Sequence, residues 1–151
     1  MSEMNECEKK FKDWLDHKQY PYFYIEQSLG TFSSLFRNVT KRPDFFVLIE
    51  SIGFIAVDVK EREIQKEYET LILDETKDIQ KLTAFERMFR IPVWFALSSS
   101  ASVFKTWYWI SLYDVIEKVE VKRGSKGRFR AIPLTATKTI GWEDNLGKLF
   151  G

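Results

Sequence analysis

Two acids and a lysine stand at positions where the chain could carry out metal-assisted chemistry. Asp44 follows Pro43 directly before one apolar run, and Asp58 and Lys60 lie near the end of a second apolar run. From Phe54 to Val59 the only polar residue is Asp58. A carboxylate in such a run must be paired, bind a metal ion, or lie at the open end of a strand.

The two apolar runs predict strands at about 45–50 and 54–60, joined by a tight turn at Ser51-Ile52-Gly53. Side chains two residues apart share one face of a strand, so Asp58 and Lys60 lie on the same face. If the strands pair, Asp44 approaches that face from the neighbouring strand. This hairpin therefore predicts a site in which two carboxylates and one ammonium group converge.

Such a site matches the needs of phosphodiester hydrolysis with a divalent metal ion. Asp44 and Asp58 can supply the hard oxygen ligands that Mg²⁺ or Mn²⁺ prefers, and the backbone carbonyl of Val59 lies between the two side chains as a further ligand. Lys60 can orient the attacking water or neutralise charge that builds up on the phosphate. Each residue also has a purely structural interpretation: Asp44 as a turn cap after Pro43, and Asp58 with Lys60 as an ion pair at the end of a strand.

An amphipathic helix is predicted upstream, over residues 5–19. Cys7, Phe11, Trp14 and Leu15 recur at helical spacing and form one apolar stripe. Asn5 can cap this helix. Glu8 lies near the border of the stripe, and as an acid in the first turn it can simply stabilise the helix.

The rest of the chain predicts one α/β domain over residues 1–151, in which 113–151 is a C-terminal extension whose role the sequence does not define. The clearest helix, 77–90, leads into an apolar strand at 91–97, which is typical of a βα unit. The remaining predicted elements are a strand at 22–26, a loop over 27–40, a third strand of the hairpin at 68–73, a strand at 106–112 and a helix at 113–119.

Composition narrows the class of protein. A single cysteine, Cys7, excludes an intramolecular disulfide and a cysteine-built zinc site. No apolar run is long enough to span a membrane, and the charged N-terminus lacks the apolar core of a signal peptide, so we expect a cytoplasmic protein that does not bind membranes.

Net charge is only +1, so the molecule as a whole does not attract nucleic acid. Residues 121–130 nevertheless contain five basic side chains and no acid. They form either a solvated loop or a clamp on the DNA backbone. These basic residues are Lys122, Arg123, Lys126, Arg128 and Arg130.

Pro43-Asp44 followed by Asp58-Val59-Lys60 resembles the motif of the PD-(D/E)xK nuclease superfamily. The predicted order of helix, three strands, helix and strand is similar to that family's core, and Ile91-Pro92-Val93 is similar to a strand of its archaeal Holliday junction resolvase-like branch. The resemblance implies a restriction-endonuclease-like fold, with a central mixed β-sheet flanked by helices. It also makes Glu8, three residues before Phe11, the counterpart of the family's first-helix acid.

The function that the resemblance implies is a metal-dependent endonuclease acting on DNA. Its metal ligands would be Glu8, Asp44, Asp58 and the Val59 carbonyl, with Lys60 as the further catalytic residue and Mg²⁺ or Mn²⁺ as cofactor. Resolvase-like members act as symmetric dimers, so a homodimer is implied as well. The alternatives are a non-catalytic domain of the same fold that binds nucleic acid or protein, and an accessory subunit of a restriction or transposition system.

Overall fold

The computed structural model describes residues 4–26, 33–34, 36 and 39–150. The predicted loop at 27–40 therefore lies largely outside the described residues. The described helices are α1 (Glu6–Lys18), α2 (Lys81–Phe89) and α3 (Leu112–Lys118), and a π-helical segment, Glu75–Gln80, leads directly into α2. The described strands are β1 (Tyr22–Tyr24), β2 (Phe45–Ile49), β3 (Gly53–Glu61), β4 (Thr70–Asp74), β5 (Val93–Ser98), β6 (Thr106–Ser111), β7 (Val121–Gly124), β8 (Gly127–Pro133) and β9 (Lys138–Gly141).

A six-stranded mixed sheet with the order β1-β2-β3-β5-β6-β9 forms the centre of the described structure. β3 and β5 are parallel, and the other neighbouring pairs are antiparallel. The crossover from β3 to β5 passes through β4 and α2, which confirms the predicted helix and the apolar strand that follows it. The predicted fold class, a mixed sheet flanked by helices, is confirmed.

α1 packs its apolar stripe onto one face of this sheet. The Asn5 side chain accepts a hydrogen bond of 2.8 Å from the Glu8 backbone N–H, so the predicted N-terminal cap is confirmed. The Phe11 ring centroid lies 5.1 Å from that of Phe45 and 5.2 Å from that of Trp107. Close aromatic packing of this kind fixes the distance between the first turn of α1 and the middle of the sheet.

The hairpin of β2 and β3 is the element that positions the predicted site. Phe45 lies opposite Val57 and Ile49 lies opposite Gly53. The turn needs left-handed backbone at Ser51 (φ 69°) and at Gly53 (φ 116°), and glycine adopts the second conformation without strain. With this register, the start of β2, next to Asp44, lies beside the end of β3, which carries Asp58 and Lys60.

The prediction that residues 68–73 extend this hairpin is wrong. β4 pairs instead with β8, in a separate three-stranded sheet of order β4-β8-β7. The basic stretch is likewise a β-hairpin and not a loop. β7 has no alternation of buried and exposed residues, since all four of its residues are exposed. Antiparallel pairing with β8 stabilises the strand instead.

The C-terminal part of the chain completes the main core. β9 forms the last strand of the six-stranded sheet, and Ile140, Leu146 and Leu149 are buried with α1. The Trp14 indole N–H donates a 2.8 Å hydrogen bond to the carbonyl of Trp142. Of the helices that the structure describes, none has the length and apolar character to cross a membrane.

Candidate active site

Asp58 lies at the centre of the candidate site, close to the end of β3. Only 1% of its surface is exposed. The ammonium nitrogen of Lys60 lies 2.9 Å from its Oδ2, as expected for side chains two residues apart on one strand. A buried carboxylate is costly without a counter-charge, and the Lys60 ammonium group supplies one.

Asp44 approaches this pair from the start of β2. Its Oδ2 accepts a 2.8 Å hydrogen bond from the backbone N–H of Val59, the residue between Asp58 and Lys60. The pairing of β2 with β3 ends at Phe45 and Val57, so no residue of β2 pairs with Val59. The Asp44 carboxylate accepts the Val59 N–H in place of a backbone carbonyl. Asp44 is therefore fixed to the backbone at the point where the sequence places the site.

Glu8 reaches the same region from the first turn of α1. Its side chain is 8% exposed, and its Oε2 is buried without a hydrogen-bond partner among the described residues. Buried carboxylate oxygens are nearly always paired, so this oxygen is available as a ligand for a cation. Burial raises the pKa of Glu8, and the negative charge of Asp58 raises it further.

The three acids repel one another electrostatically. Burial raises the pKa of Asp44 well above its usual value, and the charges of Asp58 and then Glu8 raise it further, although the Val59 N–H opposes this. Carboxylates that share a site with like charges bind protons more readily. A divalent cation would relieve the same repulsion.

Two further residues, Lys41 and Asp78, join the cluster. Asp78 Oδ1 lies 2.9 Å from the Lys60 nitrogen, and the Lys41 nitrogen lies 3.4 Å from both Asp58 Oδ1 and Asp78 Oδ1. Burial acts to raise the pKa of Asp78, but Lys60 and Lys41 lower it overall. Two cations and two anions thus form one connected network around Asp58.

Sequence reasoning missed both residues. Lys41 lies three residues before Asp44 and shows no pattern of its own, whereas Asp78 lies in the first turn of a predicted helix, where an acid is ordinary. Asp78 reaches the site because the π-helical segment follows β4 directly, and its Oδ2 accepts a hydrogen bond from the Asp74 N–H. Only the tertiary fold, in which β4 lies in the smaller sheet and ends near Lys60, brings it there.

The donor set of Glu8, Asp44 and Asp58 fits a divalent metal ion chemically, because all its side-chain oxygens are hard ligands. Within the described residues, however, no group of three acidic, cysteine or histidine side chains is already arranged to hold a metal ion. The reason is visible in the contacts: Asp58 faces Lys60 and Lys41, and Asp44 faces the Val59 N–H. A metal ion would have to compete with these partners.

The predicted basic residues divide into two groups. Arg123 lies directly opposite Arg128 in the β7–β8 ladder, both are exposed, and within the described part of the chain neither forms an ion pair. Like charges opposite each other destabilise a sheet, and an anion between them removes that penalty. These arginines line a cleft of about 380 Å³ together with Gly124 and Gly127.

Arg130 departs from the prediction of a DNA contact. Its guanidinium group is buried and binds Glu75 through two hydrogen bonds of 2.7 and 3.0 Å. It also donates to the carbonyls of Val115 and Val119 at the C-terminal end of α3. These donors are used inside the protein, so we exclude Arg130 from the candidate interface.

The mixed sheet, the acid-bearing first helix and the charged edge of the hairpin together define a resolvase-like nuclease fold. Solved structures confirm this fold. The chain is similar to the Holliday junction resolvase Hjc of Archaeoglobus fulgidus (15% identity, TM-score 0.55, 86% of this chain and 88% of that chain). It is also similar to D212, a nuclease from a fusselovirus (13% identity, TM-score 0.52, 93% of this chain and 81% of that chain). No family model and no curated protein matches the sequence.

The repulsion among the acids predicts that Asp44→Asn stabilises the metal-free protein. Asparagine can still accept the Val59 N–H but removes the charge next to Asp58. We expect the melting temperature in EDTA to rise by about 3 °C at neutral pH, which corresponds to roughly 1 kcal/mol. Thermal unfolding followed by circular dichroism measures this change.

The stabilisation by Asp44→Asn should depend on pH, and its direction follows from the raised pKa of Asp44. Because the pKa of Asp44 is raised in the folded protein, its contribution to stability is fully present below the unfolded carboxyl pKa and is lost as pH rises through the folded pKa. The advantage of Asp44→Asn should therefore be larger at about pH 7 than at about pH 4. A variant that is less stable than the wild type at neutral pH would contradict this electrostatic description.

Proposed function

We propose that this protein is a metal-dependent nuclease that hydrolyses phosphodiester bonds in DNA. The observation that carries the proposal is the convergence of Glu8, Asp44 and Asp58 beside Lys60, on a fold shared with nucleases. Buried acids that repel one another destabilise a protein, so a divalent ligand is the simplest reason for their convergence.

In this proposal Glu8, Asp44, Asp58 and the Val59 carbonyl hold Mg²⁺ or Mn²⁺. When bound, the metal ion supplies Lewis-acid stabilisation of the phosphate and lowers the pKa of a coordinated water. The protein contributes the position of these ligands: the Val59 N–H holds Asp44, and the packing of α1 holds Glu8. To hold the ion, Asp58 would give up its contacts with Lys60 and Lys41.

Lys60 serves as a hydrogen-bond donor and not as a general base. Burial acts to lower its pKa, but the adjacent carboxylates of Asp58 and Asp78 raise it overall, so the side chain stays protonated. Asp78 keeps a 2.9 Å contact with Lys60 that does not depend on Asp58. With Asp58 on a metal ion, Asp78 would still hold the ammonium group where charge develops on the phosphate.

Lys41 is held less tightly in the site than Lys60. Its contacts with Asp58 and Asp78 are long, at 3.4 Å, and its side chain is 26% exposed. A DNA phosphate that enters the site can attract this ammonium group away from the carboxylates. We propose that Lys41 contacts a phosphate of the bound strand.

Lys122, Arg123, Lys126 and Arg128 are proposed to contact the DNA backbone. The pairing of Arg123 with Arg128 predicts a specific result, because each phosphate neutralised by a cation releases counterions. Replacing both arginines by glutamine should weaken DNA binding to a similar degree for all sequences and reduce the slope of log K against log salt by about 2.

Fluorescence anisotropy with labelled DNA over a range of salt concentrations measures that slope. Lys118→Gln is a suitable control, since this exposed lysine already pairs with Asp114 on α3. If the double variant and the wild type have the same slope, the β7–β8 hairpin does not bind the backbone.

The proposed activity is tested by incubating the protein with duplex, single-stranded and branched DNA, in Mg²⁺, in Mn²⁺ and in EDTA. Glu8→Ala should abolish cleavage, whereas Asp13→Ala, an exposed acid on the same helix, should leave it unchanged. The mass in solution tests the expected homodimer, in which two such sites would act on two strands. A wild-type protein that stays inert on all three DNA forms would remove the proposal.

A second candidate function is a non-catalytic DNA-binding domain or an accessory subunit of a larger nuclease system. The observation that favours it is the neutralisation of Asp58 by Lys60 and Lys41, which satisfies the carboxylate without a metal ion. In that case DNA binding would survive both Asp44→Ala and Asp58→Ala, and metal binding would be undetectable.

A further inference from the structure

The smaller sheet carries an open groove on the face that points away from the core. Its two adjoining clefts, about 360 and 310 Å³, share Ile72 and Phe129. Leu71, Leu73 and Ile132, on the opposite face of the same strands, are fully buried. Residues that alternate along β4 and β8 therefore divide into a core face and a solvent-facing floor.

The groove begins beside the candidate active site. Arg62, which directly follows β3, lines the first cleft. Its Nη2 lies 3.9 Å from Asp78 Oδ2, and its Nε donates a 3.0 Å hydrogen bond to the carbonyl of Ile72. Arg62 thus connects the network around Asp58 to the floor of the groove, and a chain that left the active site would meet the groove next.

The floor is apolar and partly aromatic. Phe129 and Ile72 form its middle, and Tyr68, which is 73% exposed, lies at its far end. The Phe129 ring lies against the turn of the hairpin, where a Cβ added to Gly124 would come within 3.0 Å of it. Aromatic rings on an open sheet are platforms on which bases can stack.

The rim of the groove is cationic. Arg62, Lys126 and Arg128 line the first cleft and Lys122 lines the second. Asp74 is the only acid among the described residues that line either cleft, and its carboxylate already accepts the Lys77 N–H. A ligand that fits this groove should therefore place flat apolar groups on the floor and negative charges at the rim.

We infer that this groove binds an unpaired DNA strand, with bases on Phe129 and Tyr68 and phosphates on the basic rim. A duplex keeps its bases stacked inside and offers a protein its phosphates and base edges, so it would leave the aromatic floor unused. The inference rests on the proposed nuclease function and gives it a substrate class: DNA in which an unpaired segment adjoins the bond that is cut.

The test measures binding without cleavage. Anisotropy in EDTA compares a labelled oligothymidylate about 16 nucleotides long with a blunt duplex of equal length. Phe129→Leu keeps an apolar side chain in the floor, and Tyr68→Ala removes the exposed ring. Tyr113→Ala, at a similarly exposed tyrosine on α3, is the control. We expect tighter binding of the oligothymidylate than of the duplex, and a loss of about tenfold in either groove variant.

Duplex affinity should be the same in all these proteins, and Tyr113→Ala should bind like the wild type. Equal affinity of the wild type and both groove variants for oligothymidylate would overturn the inference, as would a preference of the wild type for the duplex. These binding measurements need no metal ion. Selective binding of oligothymidylate by a protein that cleaves no DNA with Mg²⁺ or Mn²⁺ would contradict the proposed nuclease function and leave the groove assignment in place. Cleavage by a protein that does not bind oligothymidylate selectively would overturn the groove assignment and leave the proposed nuclease function in place.

Discussion

Replacing Lys60 by methionine is expected to lower DNA cleavage by about two to three orders of magnitude. Lys60 is the cation closest to Asp58, and removal of one preorganised donor that stabilises transition-state charge typically costs that much. Methionine fills a similar volume, so the strand should remain intact. The rate of cleavage under single-turnover conditions, with saturating Mn²⁺, is the quantity to measure.

A measurement of metal affinity distinguishes a catalytic role of Lys60 from a purely structural one. Lys60 competes with a metal ion for Asp58, so Lys60→Met should bind Mn²⁺ at least as tightly as the wild type while cleaving far more slowly. Asp78→Asn should cause a smaller loss of rate, because it removes one of the two carboxylates that hold Lys60. A Lys60→Met protein that cleaves at the wild-type rate would remove Lys60 from the mechanism.

Replacing Arg130 by methionine is expected to reduce the free energy of unfolding by about 3–5 kcal/mol. The change leaves the buried Glu75 carboxylate without its partner and deprives the carbonyls at the C-terminal end of α3 of a donor. A loss of this size should lower the melting temperature by roughly 10 °C. Denaturant titration and thermal unfolding both measure it.

Arg128→Met is the matched control, since Arg128 lies on the same strand but is exposed. The double variant Glu75→Leu with Arg130→Met should recover part of the stability, because no buried charge is then left unpaired. If Arg130→Met unfolds like the control, the contacts of Arg130 with Glu75 and with the end of α3 do not stabilise the fold.

The central hairpin and the first helix could be predicted from the sequence because their signals are local. Two apolar runs and a glycine turn indicate β2 and β3, and the apolar spacing around Phe11 indicates α1. The register that follows places Asp44 near Asp58 without further information.

The rest of the site depends on contacts between distant parts of the chain. Asp78 belongs to the site because β4 lies in the smaller sheet and leads directly into the π-helical segment beside Lys60. Lys41 belongs to it because its side chain reaches Asp58 from the segment before β2. Arg130 has the same residue type and the same neighbourhood in sequence as Arg128, yet one is buried against Glu75 and the other is exposed. Charge pattern alone cannot separate a buried ion pair from a surface cation, because that difference arises from the pairing of β8 with β4.

The most direct test of the account is a Mn²⁺ titration of the wild type and Asp58→Ala, with DNA cleavage as the readout. Asp58 contacts both Lys60 and Lys41, and the charges of Asp58, Glu8 and Asp44 repel one another. We predict cleavage by the wild type that rises with Mn²⁺ to a plateau, and cleavage by Asp58→Ala that stays at background over the same range. Equal cleavage by the two proteins, or none by the wild type at any Mn²⁺ concentration, would contradict a metal site at Asp58.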